Sequence, residues 1–386
     1  TNNGLYKMAN ISDIKYAELD APSNNFFRPE TLKATNDQIS NATAKLPIFK
    51  YYDISDEGIH SSSDGQKIET QFETINSRYS PKYFGLDKGV TSYSLVANNI
   101  PINGKIIGAN EHESHFVFDL HYNNTSEINS VIHSTDTHGT NQVNYAILNY
   151  FGYQFAPRYK NLSSKAKMIY GFKNPSQYEN CLLKPVRKVY SKLMEDEAEN
   201  MEKIFLSLAL KSTTQSIIVG KLSSYTRVNK TKKAFWELDN VVKSIYILNY
   251  IDSPVLQRGV QKSLNRVENY HQLIKAIRYA NGGKFRVKTE LEQQIWSECA
   301  RLVANSIIYY NAFFLSQLME MKEKAGLVAE ADEIKRISPI GWRHVNLYGK
   351  YEFRKEGMVM SASEILKNLE RSYRFGNQTE FDFKEE

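Results

Sequence analysis

Ile128, Ser130, Ile132 and Ser134 alternate with Asn129, Val131, His133 and Thr135, and this period of two predicts a strand. The strand stops at Asp136, in a run of small, polar, turn-forming residues. Thr140 is placed to cap a helix whose apolar side is Ala146, Ile147, Tyr150 and Phe151 and which ends at Gly152. Residues 153–156 give a second short extended run, stopped by Pro157. The pattern is a strand–helix–strand unit, and a parallel pair is its economical form. Ligands of open α/β sheets collect at the carboxyl ends of strands, and Asp136 stands at one.

Upstream, residues 1–55 are polar and rich in Asn, with Pro22, Pro29 and Pro47, and read as an irregular lead-in. Within them 31–44 predict a helix and 49–52 a short strand. After Gly65, Gln66, Ile68, Thr70 and Phe72 alternate with Lys67, Glu69, Gln71 and Glu73, a strand beginning at Asp64. Antiparallel strands are expected across 78–122, at the apolar runs 93–96 and 116–120. Turns are expected at Asp87–Lys88–Gly89 and Asn103–Gly104. Downstream the spacing becomes helical, at 191–210, 236–249, 254–280 and 290–321. On the third of these helices Val260, Leu264, Val267, Tyr270, Ile274 and Ile277 make an apolar stripe. Glu268 falls off the stripe, on an edge shared with Gln261, Asn265, Gln272 and Lys275. An aromatic unit at 337–353 and a charged tail close the chain. The expected divisions are 1–55, 56–160, 161–253, 254–325 and 326–386.

Composition narrows the class. A chain of 386 residues, 41% apolar, is long enough for two or three cores. With only two cysteines, Cys181 and Cys299, nothing suggests a disulfide framework or a cysteine-based zinc site, which fits a reducing cytoplasm. No secretory signal opens the sequence, and a first residue of Thr suggests a piece of a longer protein. The uncharged run 302–319 contains Asn305, Ser306, Asn311, Ser316 and Gln317, amides and hydroxyls that are costly in lipid. It is expected to be a buried helix, not a membrane span. The net charge of +6 is unevenly spread. Residues 158–188 hold eight Lys and Arg against Glu179 alone, and 221–233 are basic with no acid. Both stretches are interleaved with aromatic residues, the composition of a track for nucleic-acid phosphates.

Three carboxylates stand out by context: Asp64 on a strand beside a glycine, Asp136 at a strand end, and Glu268 on the polar edge of a packed helix. Acids converging from two strands and a helix would hold two hard divalent cations through oxygen. Such a pair clamps an in-line displacement at phosphorus. His112, His115, His121, His133 and His138 crowd together, but their spacing lacks the helical i, i+4 pair of a zinc helix. His138, two residues past Asp136, is suited to orient a phosphate or a water.

The motifs Ser63–Asp64–Gly65–Gln66, Ser134–Thr135–Asp136–Thr137–His138–Gly139, Phe155–Ala156–Pro157–Arg158 and Leu264–Asn265–Arg266–Val267–Glu268–Asn269–Tyr270–His271 carry a resemblance. So do Ile295–Trp296–Ser297–Glu298–Cys299–Ala300–Arg301–Leu302 and Ile337–Ser338–Pro339–Ile340. From about residue 58 to 353 the chain resembles the C-terminal catalytic region of the Tn-three family of transposases, the enzymes of replicative, cointegrate-forming bacterial transposons. The resemblance implies an α/β, ribonuclease-H-like mixed sheet with a helical insertion domain and C-terminal helices. It implies a DDE triad of Asp64, Asp136 and Glu268, binding two Mg²⁺ or Mn²⁺ ions, with Gln66 and His138 as auxiliary residues. The activity implied is cleavage at the 3′ ends of the element and strand transfer into target DNA. The implied partners are terminal inverted repeats, target DNA and a second copy of the chain, in a bacterial, nucleoid-associated setting without membrane attachment. Arg158, Lys160, Arg227, Lys230, Lys233, Arg266 and His271 are the candidate DNA contacts. A nuclease without strand transfer and a non-catalytic DNA-binding scaffold are the alternatives.

Overall fold

The computed structural model describes residues 3–54, 57–224, 229–353 and 360–371. The chain divides into two compact units, one made of 1–52, 273–283 and 298–386, the other of 53–272 and 284–297.

The first unit is helical. The polar N-terminal stretch is not irregular: it forms helices Gly4–Asn10, Tyr16–Phe26 and Pro29–Ala44. Phe49–Tyr52 is a 3₁₀ turn, not the strand that its aromatic run predicts. Its Tyr52 packs with Ile48, Ala312, Met319, Ala331 and Ile334 in one apolar cluster. The uncharged run lies inside the helix Glu290–Lys324, and its polar groups find protein partners. Asn305 donates to Asn36 Oδ1 at 3.0 Å, and Asn311 donates to the Pro339 and Gly341 carbonyls, each at 2.7 Å. Among the described residues no helix is long and apolar enough to cross a membrane.

The second unit is a mixed α/β structure. Its strands are β1 (Ile59–Glu69), β2 (Arg78–Tyr79), β3 (Lys88–Ala97), β4 (Ile100–Gly108), β5 (Ser130–Ser134) and β6 (Gln154–Phe155). The sheet order is β2-β3-β1-β5-β6, with β4 on β3. β1 is antiparallel to β3 and parallel to β5, and β5 is parallel to β6, so the strand–helix–strand reading around Asp136 holds.

Three local expectations are corrected. β1 starts at Ile59, five residues before Asp64, because His60, Ser61, Ser62 and Ser63 are all buried and hide the alternation. Asn103–Gly104 lies within β4; the β3–β4 hairpin turns instead at Asn98 and Asn99, whose φ values of 45° and 72° suit a tight two-residue turn. The run 116–120 is not a strand, since Val117–Tyr122 is helical. Tertiary partners decide that case: Phe118 N donates to Gln215 Oε1 at 2.7 Å, and Gln215 N donates to Asp119 Oδ1 at 2.7 Å.

Val143, not Thr140, is the N-cap residue of the helix Asn144–Tyr150 and makes no side-chain capping bond; just ahead of it Asn141 Oδ1 accepts from Val143 N and Asn144 N at 2.9 Å each. The segment 161–253 holds a two-stranded ladder, Tyr170–Gly171 with Arg187–Lys188, and helices Ser191–Asp196, Ala198–Ala209, Gln215–Ser224 and Lys230–Asp252. The helix expected over 191–210 is thus two, parted at Glu197. The helix Pro254–Tyr279 buries every residue of its apolar stripe and leaves Glu268 exposed.

Candidate metal centre

The sheet register aligns two of the three carboxylates. Ser62 of β1 pairs with Ser134 of β5 in parallel. Asp64 and Asp136 each lie two residues beyond that pair, Asp64 within β1 and on the same face as Ser62, Asp136 just past the end of β5. Beneath them runs a buried hydrogen-bonded chain. His133 Nδ1 meets Ser61 Oγ at 2.9 Å, and its Nε2 meets Ser63 Oγ at 2.9 Å. Ser63 Oγ continues to the Tyr93 hydroxyl at 2.6 Å, and Ser61 Oγ to His121 Nε2 at 3.0 Å. His121 and His133 are therefore structural histidines, engaged by serines. Burial drives the pKa of His121 down to about 3 and that of His133 well below its ordinary value, keeping both rings neutral.

Two hydrogen bonds tie β1 to the helix Pro254–Tyr279. Ser62 Oγ donates to the Ser263 carbonyl at 2.6 Å, and Gln66 Nε2 donates to the His271 carbonyl at 3.0 Å. Glu268 and His271, three apart, share the helix face between these ties. Ligand atoms of Asp64, Glu268 and His271 all lie within 4.8 Å of one another. His271 Nδ1 is 3.7 Å from Asp64 Oδ2, and Gln272 Nε2 donates to Glu268 Oε1 at 2.6 Å.

Asp136 stands outside this group. Its Oδ1 accepts from His138 N at 2.8 Å and Gly139 N at 3.2 Å, capping its own turn. Its charge still reaches Asp64. Burial, then the carboxylates of Glu113, Asp136 and Glu268, push the Asp64 pKa up to about 7. Glu113 is a site neighbour that sequence reading missed; burial raises its pKa too, against the opposing pull of Lys67. Nothing in the local pattern marks it, since it sits in a 3₁₀ turn between two histidines.

The donor set suits a divalent cation. Two carboxylates supply oxygen and one imidazole supplies nitrogen.

The candidate DNA contacts divide. Arg158, Lys160, Lys230 and Lys233 are exposed, and Arg158 Nη1 donates to Gln261 Oε1 at 3.0 Å. His138 is exposed beside Asp136. Arg266 and His271, expected to face DNA, are buried instead. Arg266 Nη1 donates to Asn98 Oδ1 at 2.9 Å, bracing the β3–β4 turn, and His271 faces Asp64. Arg227 lies outside the described residues.

A mixed sheet with a helix laid on its central strand, gathering carboxylates and an imidazole, defines an α/β protein with a candidate cation site. Residues 1–351 match the family model described as the Tn3 transposase DDE domain, and the chain belongs to that family. It is 28% identical over 360 residues to the transposase for transposon Tn1546 of Enterococcus faecium, covering 93% of this chain and 36% of that protein. The transposase for transposon gamma-delta of Escherichia coli (strain K12) is 27% identical, over 89% of this chain and 34% of its own length. The transposase for transposon Tn4556 of Streptomyces fradiae is 21% identical, over 90% of this chain and 38% of its own length. The chain thus spans about a third of the length of the curated relatives it matches.

Proposed function

We propose that this chain is the catalytic region of a DNA transposase with a ribonuclease-H-like fold, cutting 3′ ends of a replicative element and joining them to target DNA. The observation that carries the reading is the approach of Glu268 to Asp64, 204 residues earlier (268 − 64), to within 4.8 Å in a chain of this family. The acids are Asp64, Asp136 and Glu268, with His271 beside them. Two Mg²⁺ or Mn²⁺ ions, when bound, would activate the attacking hydroxyl and offset charge on the phosphate and the leaving oxygen. Asp64 and Glu268 would hold the cation side from strand and helix. Asp136, half-buried just past the end of its strand, would complete the site by rotating off its capping bonds. His138 would orient a phosphate oxygen. Arg158, Lys160, Lys230 and Lys233, with Arg227, would follow the DNA backbone, and two copies of the chain would pair the two element ends.

Strand cleavage and strand transfer on labelled DNA ends in Mg²⁺ and Mn²⁺ test the reading, using the full-length transposase that contains this chain. Asp64→Asn and Glu268→Gln are expected to lose both products while still binding DNA. Activity that survives both substitutions rejects the reading. Nicked but never joined products would make the protein a nuclease.

A further inference from the structure

We propose that a cavity in the segment 161–253 receives one unstacked nucleobase of a DNA strand that passes the Asp136 turn, with the Trp236 indole as its stacking platform and Lys243 as a contact to its phosphate. The inference rests on the reading of the chain as a DNA transposase and adds a nucleotide subsite to it.

Four observations carry it. The cavity measures about 680 Å³, within the range of about 300–1,000 Å³ that encloses a small ligand. Its walls come from the ladder of Tyr170–Gly171 with Arg187–Lys188 and from the helix Lys230–Asp252. On that helix Lys233, Trp236, Asn240 and Lys243 follow at intervals of three, four and three, so they share a face. Such a face offers a π surface for a base, an amide for its edge and a cation at either end for phosphate. Second, the adjoining wall is pre-formed. Arg187 forks onto Glu237, Nη1 to Oε2 at 3.0 Å and Nη2 to Oε1 at 2.6 Å. Its guanidinium lies 4.7 Å and 5.2 Å from the ring centroids of Tyr170 and Tyr190. Glu237 balances the Arg187 charge and fixes its plane, so little ordering is left to pay when a ligand enters.

Third, the polar groups of that helix face are uncommitted. The Asn240 carboxamide, the Lys243 ammonium and the Trp236 ring nitrogen make no hydrogen bond among the described residues. Lys243 is half-buried, and burial lowers its pKa against the attraction of Asp239; a phosphate would offset that penalty. Fourth, the cavity leads toward Asp136. Gln142 and Trp236 line it and also line a second cavity, of about 390 Å³, whose wall includes His115 and Asn141. Gln142 is exposed and six residues past Asp136 (142 − 136), at most about 22 Å away along an extended chain. That is the length of about six stacked nucleotides at about 3.4 Å each. A base inside a duplex has both faces covered by its neighbours, so only one that has left the stack can use Trp236.

The test places the fluorescent base 2-aminopurine singly at each of the positions within about six nucleotides of the scissile phosphate, in an element end bound to the full-length transposase that contains this chain. One position is expected to change about twofold or more on binding, and to lose that change in Trp236→Ala, which also weakens binding about tenfold. Trp236→Phe keeps a ring and should retain most of both effects. Lys243→Met should reduce the slope of log affinity against log salt by about 1. Where Trp236→Ala does not fold, Trp236→Leu, which keeps bulk without a π face, decides in its place. If no position responds, or if the response survives loss of the ring, the subsite falls. Free dAMP bound as tightly as the DNA end would make the cavity a small-nucleotide site and overturn the inference too. Strand cleavage by the wild type is measured alongside. Cleavage with no responding base overturns the subsite alone; a wild type that neither binds nor cuts the element end overturns the transposase reading, and this inference with it.

Discussion

Gln66 donates its side-chain amide to the backbone carbonyl of His271 at 3.0 Å, so a residue two past Asp64 grips a residue three past Glu268. This bond fixes helix height against strand at the point where the two acids meet. Gln66→Ala removes it and is expected to cost about 1 kcal/mol of stability. The loss of strand cleavage should be larger than that figure implies, tenfold or more, because a shift of about 1 Å at a reacting centre costs up to about a hundredfold. Melting temperature and single-turnover cleavage rate, measured together, check the disproportion.

Gly65 has no room for even one carbon. Its Cβ would meet Thr91 Cγ2 at 2.6 Å as well as the Glu113 carboxyl. Thr91 is fully buried on the neighbouring strand and cannot retreat. Gly65→Ala is therefore expected to destabilise the fold by about 1–3 kcal/mol and to abolish cleavage by displacing Asp64. Chemical denaturation and the cleavage assay read the two effects separately.

The buried histidines make the fold acid-labile. His60 and His121 have pKa values lowered to about 4 and about 3. A folded-state pKa below the unfolded one gives stability that is complete above about pH 6.5 and lost as pH falls toward the folded value, at up to about 1.4 kcal/mol per pH unit for each ring. Asp239, fully buried and accepting from Tyr145 N at 2.9 Å and Ala146 N at 3.2 Å, works the other way. Burial raises its pKa to about 7, so its contribution is complete at low pH and lost as pH rises from about 4 to about 7. Melting curves from pH 7 to pH 4.5 should fall more steeply in Asp239→Asn than in the wild type, and less steeply in His121→Gln.

The exposed cations give a separate test. Arg158→Ala combined with Lys233→Ala should reduce the slope of log affinity for DNA against log salt by about 2, roughly one unit for each phosphate that is no longer neutralised. An unchanged slope removes both residues from the DNA track.

Sequence alone made the Asp136 unit legible, because a parallel strand–helix–strand repeats a simple period and ends in turn residues. It also placed Glu268 on the exposed edge of its helix, since a six-residue apolar stripe fixes the helix phase. What stayed hidden was polar and buried. His60 to Ser63 form strand through side-chain bonds that no hydropathy pattern reveals. The helix at Val117–Tyr122 depends on Gln215, nearly a hundred residues away. Arg266 and His271 read as DNA-facing because charge suggests solvent, whereas Asn98 and Asp64 give them partners inside. Glu113 was invisible for the same reason: it packs on Gly65 of β1, which is remote in sequence.

Asp64 sits mid-strand, paired through Ser94 with an antiparallel neighbour, two residues beyond the last parallel pair that β1 makes with β5. A strand so held has no intermediate positions. Sliding it by one residue would turn the acid to the opposite face of the sheet and bring Ser63 or Gly65 in its stead. Misplacement of this carboxylate is therefore all or nothing, and any gradual adjustment of the centre has to come from the helix that carries Glu268.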